Sequence, residues 1–154
     1  MMTSTPESPS LQSARKAAMA IMARATTVEL AAMDDIAPMS ELRTLRAPEI
    51  GLVMVRGRIG GDGAPFNLGE TTVSRAAVAL TSGEVGFGHV LGRDTEKARL
   101  AAIADALWQN AAHRPAVEAL LAPIRARIAA ETTMSAERTA ATRVDFFTLV
   151  RGED

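Results

Sequence analysis

The sequence predicts an α+β domain: N-terminal and C-terminal helices around an antiparallel sheet of about four strands. Three observations carry this expectation. Apolar residues recur at helical spacing near the start of the chain, switch to period two across the middle, and return to helical spacing near Asp94. The strand-like stretches follow one another directly, which favours antiparallel neighbours over a crossover sheet. No internal repeat of roughly 20–50 residues is visible, so a solenoid is excluded.

The first helix is LQSARKAAMAIMAR, where Leu11, Ala14, Ala18, Ile21 and Met22 fall near a helical period. Thr26 and Thr27 interrupt it and offer an N-cap for VELAAMDDIA, which stops before Pro38. ELRTLRAPEIGLVMVRGRIG then reads as two strands bent or turned at Pro48. In the second of these, Leu52, Met54, Arg56 and Arg58 share one face, and Val53, Val55 and Ile59 the other. GGDGAP is a flexible turn, TTVSRAAVAL a third strand, and Ser82-Gly83 a hairpin turn into the fourth, EVGFGHVLG. There Val85, Phe87, His89 and Leu91 alternate with Gly86, Gly88 and Val90. A face so nearly bare implies close approach by a helix, another backbone or a ligand.

RDTEKARLAAIADALWQN is the clearest helix. Asp94 or Thr95 can cap it, Glu96 suits its positive end, and Leu100, Ile103, Leu107 and Trp108 form an apolar stripe. Pro115 and Pro123 fit the first turns of a short helix and a longer one. After Ile128 the longer one loses its apolar periodicity, so it should bridge or project.

Composition excludes several chemistries. The 154 residues suit one domain with a real core, and with 47% hydrophobic but only 3% aromatic residues that core should be tight and alanine-rich. A net charge of −1 gives no general field for nucleic acid. Without cysteine there are no disulfides, thiolate metal sites or cysteine nucleophiles, and two well-separated histidines, His89 and His113, make no histidine-rich metal site. The first ten residues lack a basic segment and an apolar segment, and no stretch approaches the roughly 18 apolar residues of a span. The cytoplasm is the expected compartment. The expected organisation is a disordered leader over residues 1–10, a single domain over 11–142 and a C-terminal docking tail over 143–154.

Few residues suggest a site. There is no GxxxxGK[ST], and neither GRIGGDG nor GFGHVLG has the strand–GxGxxG–helix context of a dinucleotide cradle. His89 shares a strand face with Phe87 and Leu91 and reads as a partly buried, satisfied histidine; His113 reads as a cation ending a helix. Arg75 stands among small residues in VSRAAVAL, where it needs a carboxylate such as Glu70 or an outward-facing anion. Arg93, with Asp94, lies at a strand-to-helix junction suited to anions. Arg75, Arg93, Arg58 and His89 are therefore the candidates for an anion or substrate pocket. In the tail, RVDFFTLVRGED concentrates two of the four phenylalanines. Phe146, Phe147, Leu149 and Val150, bracketed by Arg143 and Arg151, suit burial against a partner within a charged rim.

Three runs go further: GLVMVRGRIGGDGAPFNLGETTVSRAAVAL, GHVLGRDTEKARLAAIADALWQ and RVDFFTLVRG. In them the chain resembles the PhnG family, a subunit of the bacterial carbon–phosphorus lyase system, from roughly Thr26 to Gly152. The most specific elements are Gly92-Arg93-Asp94 before a helix and RVDFFT-x-VRG. The resemblance implies a core complex with PhnH, PhnI and PhnJ, and PhnL as an associated ATP-binding-cassette-like protein. It implies formation of ribose 1-methylphosphonate 5-triphosphate by displacing adenine from ATP with a phosphonate. Radical cleavage of the carbon–phosphorus bond belongs to the iron–sulfur subunit PhnJ, and nucleosidase-like chemistry mainly to PhnI. No catalytic residue, metal or cofactor is therefore carried onto this chain; ATP is a substrate of the whole complex. The residues themselves also allow an alternative, a free-standing nucleotide- or phosphate-binding enzyme using His89, Arg75 and Arg93.

Overall fold

The computed structural model describes residues 10–143. Helix α1 (Leu11–Arg24) starts at Ser10, whose hydroxyl accepts the Ser13 N–H at 3.2 Å, and buries Ala18 and Met22. Helix α2 (Thr27–Leu30) begins with a capping box. The Glu29 N–H donates to the Thr26 hydroxyl at 3.2 Å, and the Thr26 N–H to the Glu29 carboxylate at 2.8 Å. Two short 3₁₀ turns, Ala31–Asp35 and Met39–Glu41, lead into the sheet.

The sheet has three antiparallel strands in the order β1 (Leu42–Arg58), β2 (Pro65–Leu80) and β3 (Val85–Leu91). The expected break at Pro48 does not occur. The two stretches are one long strand, with register shifts between Thr44 and Arg46 and between Arg46 and Glu49. An edge strand absorbs a proline at such an irregularity because the missing N–H interrupts no central ladder.

Behind the sheet lies α3 (Thr95–Gln109), with α1, α2 and α4 (Arg114–Ala141) on its far side. Sandwiched between layers, α3 buries every residue from Leu100 to Trp108, more than one stripe. Gly86 and Gly88 let it approach: a Cβ at either position would overlap the carbonyl oxygen of Ala102 or Ala98. Full burial of Leu100, Ile103 and Leu107 stabilises this packing by about 1.5–3 kcal/mol each. Trp108 donates its indole N–H to Glu118 at 2.6 Å, and the Arg114 guanidinium stacks 4.7 Å from its ring centre.

The two helices expected at Pro115 and Pro123 are one. Pro115 occupies the first turn, whereas Pro123 lies inside α4. An interior proline costs about 3 kcal/mol, and here the burial of Val117, Leu121, Ile124 and Ile128 on either side of it holds the helix straight through. Every described residue beyond Ile128 is exposed, so the last turns of α4 project roughly 20 Å from the domain, as their polarity predicts. His113 precedes α4 instead of ending a helix, with Nε2 3.8 Å from Glu41. Among the described residues no helix is long and apolar enough to cross a membrane. Residues 1–9, expected to be a leader, and Phe146, Phe147, Leu149, Val150 and Arg151 of the expected docking tail lie outside the described residues.

Candidate functional site on the open sheet face

One face of the sheet packs on α3; the other carries the polar residues singled out from the sequence. The register sets Arg75 opposite His89 on β3 and opposite Glu49 on β1, and sets Ala77 opposite Phe87 and Arg46. Arg46, Arg75, Phe87 and His89 line a shallow cavity of about 260 Å³. One oxygen of Glu49 accepts from Arg75 Nε at 2.8 Å and from Arg46 Nη1 at 2.7 Å. These two bonds, Arg75 first, hold the Glu49 carboxyl below its ordinary range, so it stays a carboxylate.

Two expectations are corrected here. The partner of Arg75 is Glu49, not Glu70: five residues along one strand puts Glu70 on the opposite face, across from Met54. His89 is exposed, not partly buried, because the face it shares with Phe87 and Leu91 is the one no helix covers.

Arg58 and Arg93 are not brought to this cavity. Arg58 sits near the far end of β1, opposite Pro65 and roughly 30 Å along the strand from Glu49. Arg93 is exposed beyond the end of β3. The N-terminus of α3 is already served from within, since Asp94 accepts the Lys97 N–H at 2.9 Å and the Thr27 hydroxyl. Thr27 and Lys97 hold the Asp94 carboxyl below its ordinary range.

Sequence reasoning missed the pair that anchors the cavity's rim. Asp105 is fully buried and accepts two bonds from Arg15, at 2.9 and 2.7 Å, and the Phe87 backbone N–H at 3.0 Å. The Val85 carbonyl next along accepts from Gln109 at 2.7 Å and from Arg15 at 3.3 Å. Side chains thus satisfy the first part of the outer edge of β3, at Val85 and Phe87. The one available signal was a lone acid inside the apolar run LAAIADALW.

A larger cleft of about 1010 Å³ lies between Arg24 and the projecting part of α4. Its Thr132, Thr139 and Thr142 hydroxyls donate to carbonyls within their own helical segment. Among the described residues no cluster of histidine and acidic side chains could hold a metal ion. The open-face cavity therefore offers cations and an aromatic ring, but no paired acid and base.

Residues 13–152 match the family model described as phosphonate metabolism protein PhnG. The chain belongs to the PhnG family. It is also 61% identical over 141 residues to the alpha-D-ribose 1-methylphosphonate 5-triphosphate synthase subunit PhnG of Rhizobium meliloti (strain 1021). That alignment takes in 91% of this chain and 90% of the relative. The PhnG match spans α1, the sheet, α3 and α4, so the family's characteristic unit is the whole layered domain and not the open-face cavity alone.

Proposed function

We propose that this chain is a required, non-catalytic subunit of the carbon–phosphorus lyase core complex. That assembly converts ATP and methylphosphonate to ribose 1-methylphosphonate 5-triphosphate and adenine during phosphonate catabolism in the cytoplasm. The observation that carries the reading is the near end-to-end identity to a relative named as a subunit of that synthase. The partners are PhnH, PhnI and PhnJ, with PhnL associated. ATP is a substrate of the complex, and this chain brings no cofactor of its own.

Displacing adenine from ribose requires protonation of the leaving base and stabilisation of positive charge at the reacting carbon. The open-face cavity has no acid–base pair for this. Its arginines suit an anion, so Arg75, with Arg46 and His89 beside it, is the part of this chain placed to meet a phosphate or phosphonate group. Residues 143–154 form a tail that docks outside the domain, through Phe146, Phe147, Leu149 and Val150 between Arg143 and Arg151.

Measuring adenine release from ATP and methylphosphonate tests the reading. The purified chain alone should release none, partners lacking it should release little, and adding it back should restore turnover. Release by the lone chain at the rate of the assembled complex would overturn the proposal.

A further inference from the structure

The two edges of the sheet are treated differently. The outer edge of the short β3 is met at Val85 and Phe87 by Asp105, Arg15 and Gln109. The outer edge of β1 has no strand beside it among the described residues, although β1 is the longest strand. Exposed, unpaired strand edges of this length are a liability unless something covers them.

Beyond the Gly51–Val73 pair, β1 and β2 also leave β3 behind. They continue as a two-stranded ribbon for roughly 20–25 Å, a structure only marginally stable in water by itself. Each of its faces carries exposed apolar side chains, one of them beside Thr72, Glu70 and Asn67. Leu52 and Met54, continuing from Ile50, point to one face; Leu68, which would overlap a Cβ at Gly57, and Phe66, opposite Gly57, point to the other. With Ile59 at the end, these side chains are 39–76% exposed. Divided between the two faces, they present on the order of 600 Å² of apolar surface, which only a partner that closes around the ribbon would bury in full.

We propose that the β1 edge and the β1–β2 ribbon form a docking surface for a partner protein that presents an apolar groove with an acidic rim. The charge along β1 selects that occupant, the ribbon's acids Glu70 and Asp62 lying on β2 and in the turn. β1 carries Arg43, Arg46, Arg56 and Arg58 against the single acid Glu49, which Arg46 and Arg75 already share. Arg43, Arg56 and Arg58 make no ion pair among the described residues. Two copies joined edge to edge would bring eight arginines and two glutamates together, which disfavours self-pairing. An acidic rim would instead meet Arg56 and Arg58 just beyond the apolar stretch, as a charged border surrounds an interface core.

The proposal rests on the reading of the chain as a subunit and names the surface that makes it one. The test co-expresses the full-length chain with tagged PhnH, PhnI and PhnJ and measures its capture. The variants are Leu52→Glu with Leu68→Glu, Arg56→Glu with Arg58→Glu, and Val28→Glu as an exposed apolar control away from the ribbon. The altered side chains are exposed, so each lone variant should melt within about 2 °C of the parent. Capture should fall about tenfold or more for both ribbon pairs and stay unchanged for the control. Parent-like capture of the leucine pair would overturn this proposal alone. Failure to capture the parent chain would overturn both it and the subunit reading. Self-association of the lone parent chain, abolished by the same leucine changes, would overturn it in favour of a second copy.

Discussion

Arg15 and Asp105, ninety residues apart in sequence, form a two-pronged ion pair of 2.9 and 2.7 Å around a carboxylate that is wholly buried. The pair joins α1 to α3, and through the Phe87 N–H it fastens the edge of the sheet to both. Arg15 is held firmly protonated, chiefly by its hydrogen bonds to Asp105. Removing one partner of a buried pair strands the other charge, which costs about 3–5 kcal/mol when both are fully enclosed. Arg15 is partly exposed, so Arg15→Ala should cost about 3 kcal/mol, near the lower end of that range. A urea titration reads this directly, and a loss below about 1 kcal/mol would mean that water replaces the guanidinium.

Gly88→Ala tests the contact between sheet and helix. The added methyl meets the backbone of Ala98 and Ala102, atoms that cannot rotate away. The expected loss is about 1–3 kcal/mol, toward the upper end, with α3 displaced from β3. A thermal melt unchanged from the parent would show that the two layers are not in close contact.

Glu29 gives a pH signature. Its carboxyl is held down from 4.5 to about 2, first by the hydrogen bond from Arg127 and next by the Thr26 backbone N–H. A depressed carboxyl contributes stability that is present above the unfolded value and is lost as pH falls through the folded value. The stability difference between the parent and Glu29→Gln should therefore be constant above about pH 5 and shrink between about pH 4.5 and 2. A difference that does not vary over that window would remove the charged bond between α4 and the start of α2.

Arg75→Lys separates folding from function. The Arg75–Glu49 pair is exposed and screened by water, so the lone chain should melt almost as before. In the assembled complex the lost planar fork should lower turnover severalfold. Parent-like turnover would exclude the cavity from anion handling.

Deleting residues 144–154 should leave the melt of the lone chain unchanged and abolish capture by the partner subunits. A melt lowered by many degrees would place Phe146 and Phe147 in the chain's own core.

Local order was legible because it depends on neighbours in sequence. Thr26 and Asp94 cap the helices that follow them because a short polar side chain reaches N–H groups two or three residues ahead. Gly86 and Gly88 announced a close approach because nothing else in a strand explains a missing face. The polar end of α4 likewise announced that it would not be buried. What surrounds each element was decided only by the tertiary structure. Pro48 and Pro123 look like breaks in sequence, yet one sits on a sheet edge and the other between buried turns that hold the helix together. His89 is exposed because the layers leave one sheet face uncovered, the one opposite Gly86 and Gly88. Arg75 takes Glu49 and Arg15 takes Asp105 through register and layer packing, since an ion pair depends on distance in space. The sequence by itself determined the order of helix and strand regions, the caps at Thr26 and Asp94 and the family; packing decided where the elements run on through a proline, which charges meet and which strand edge stays open.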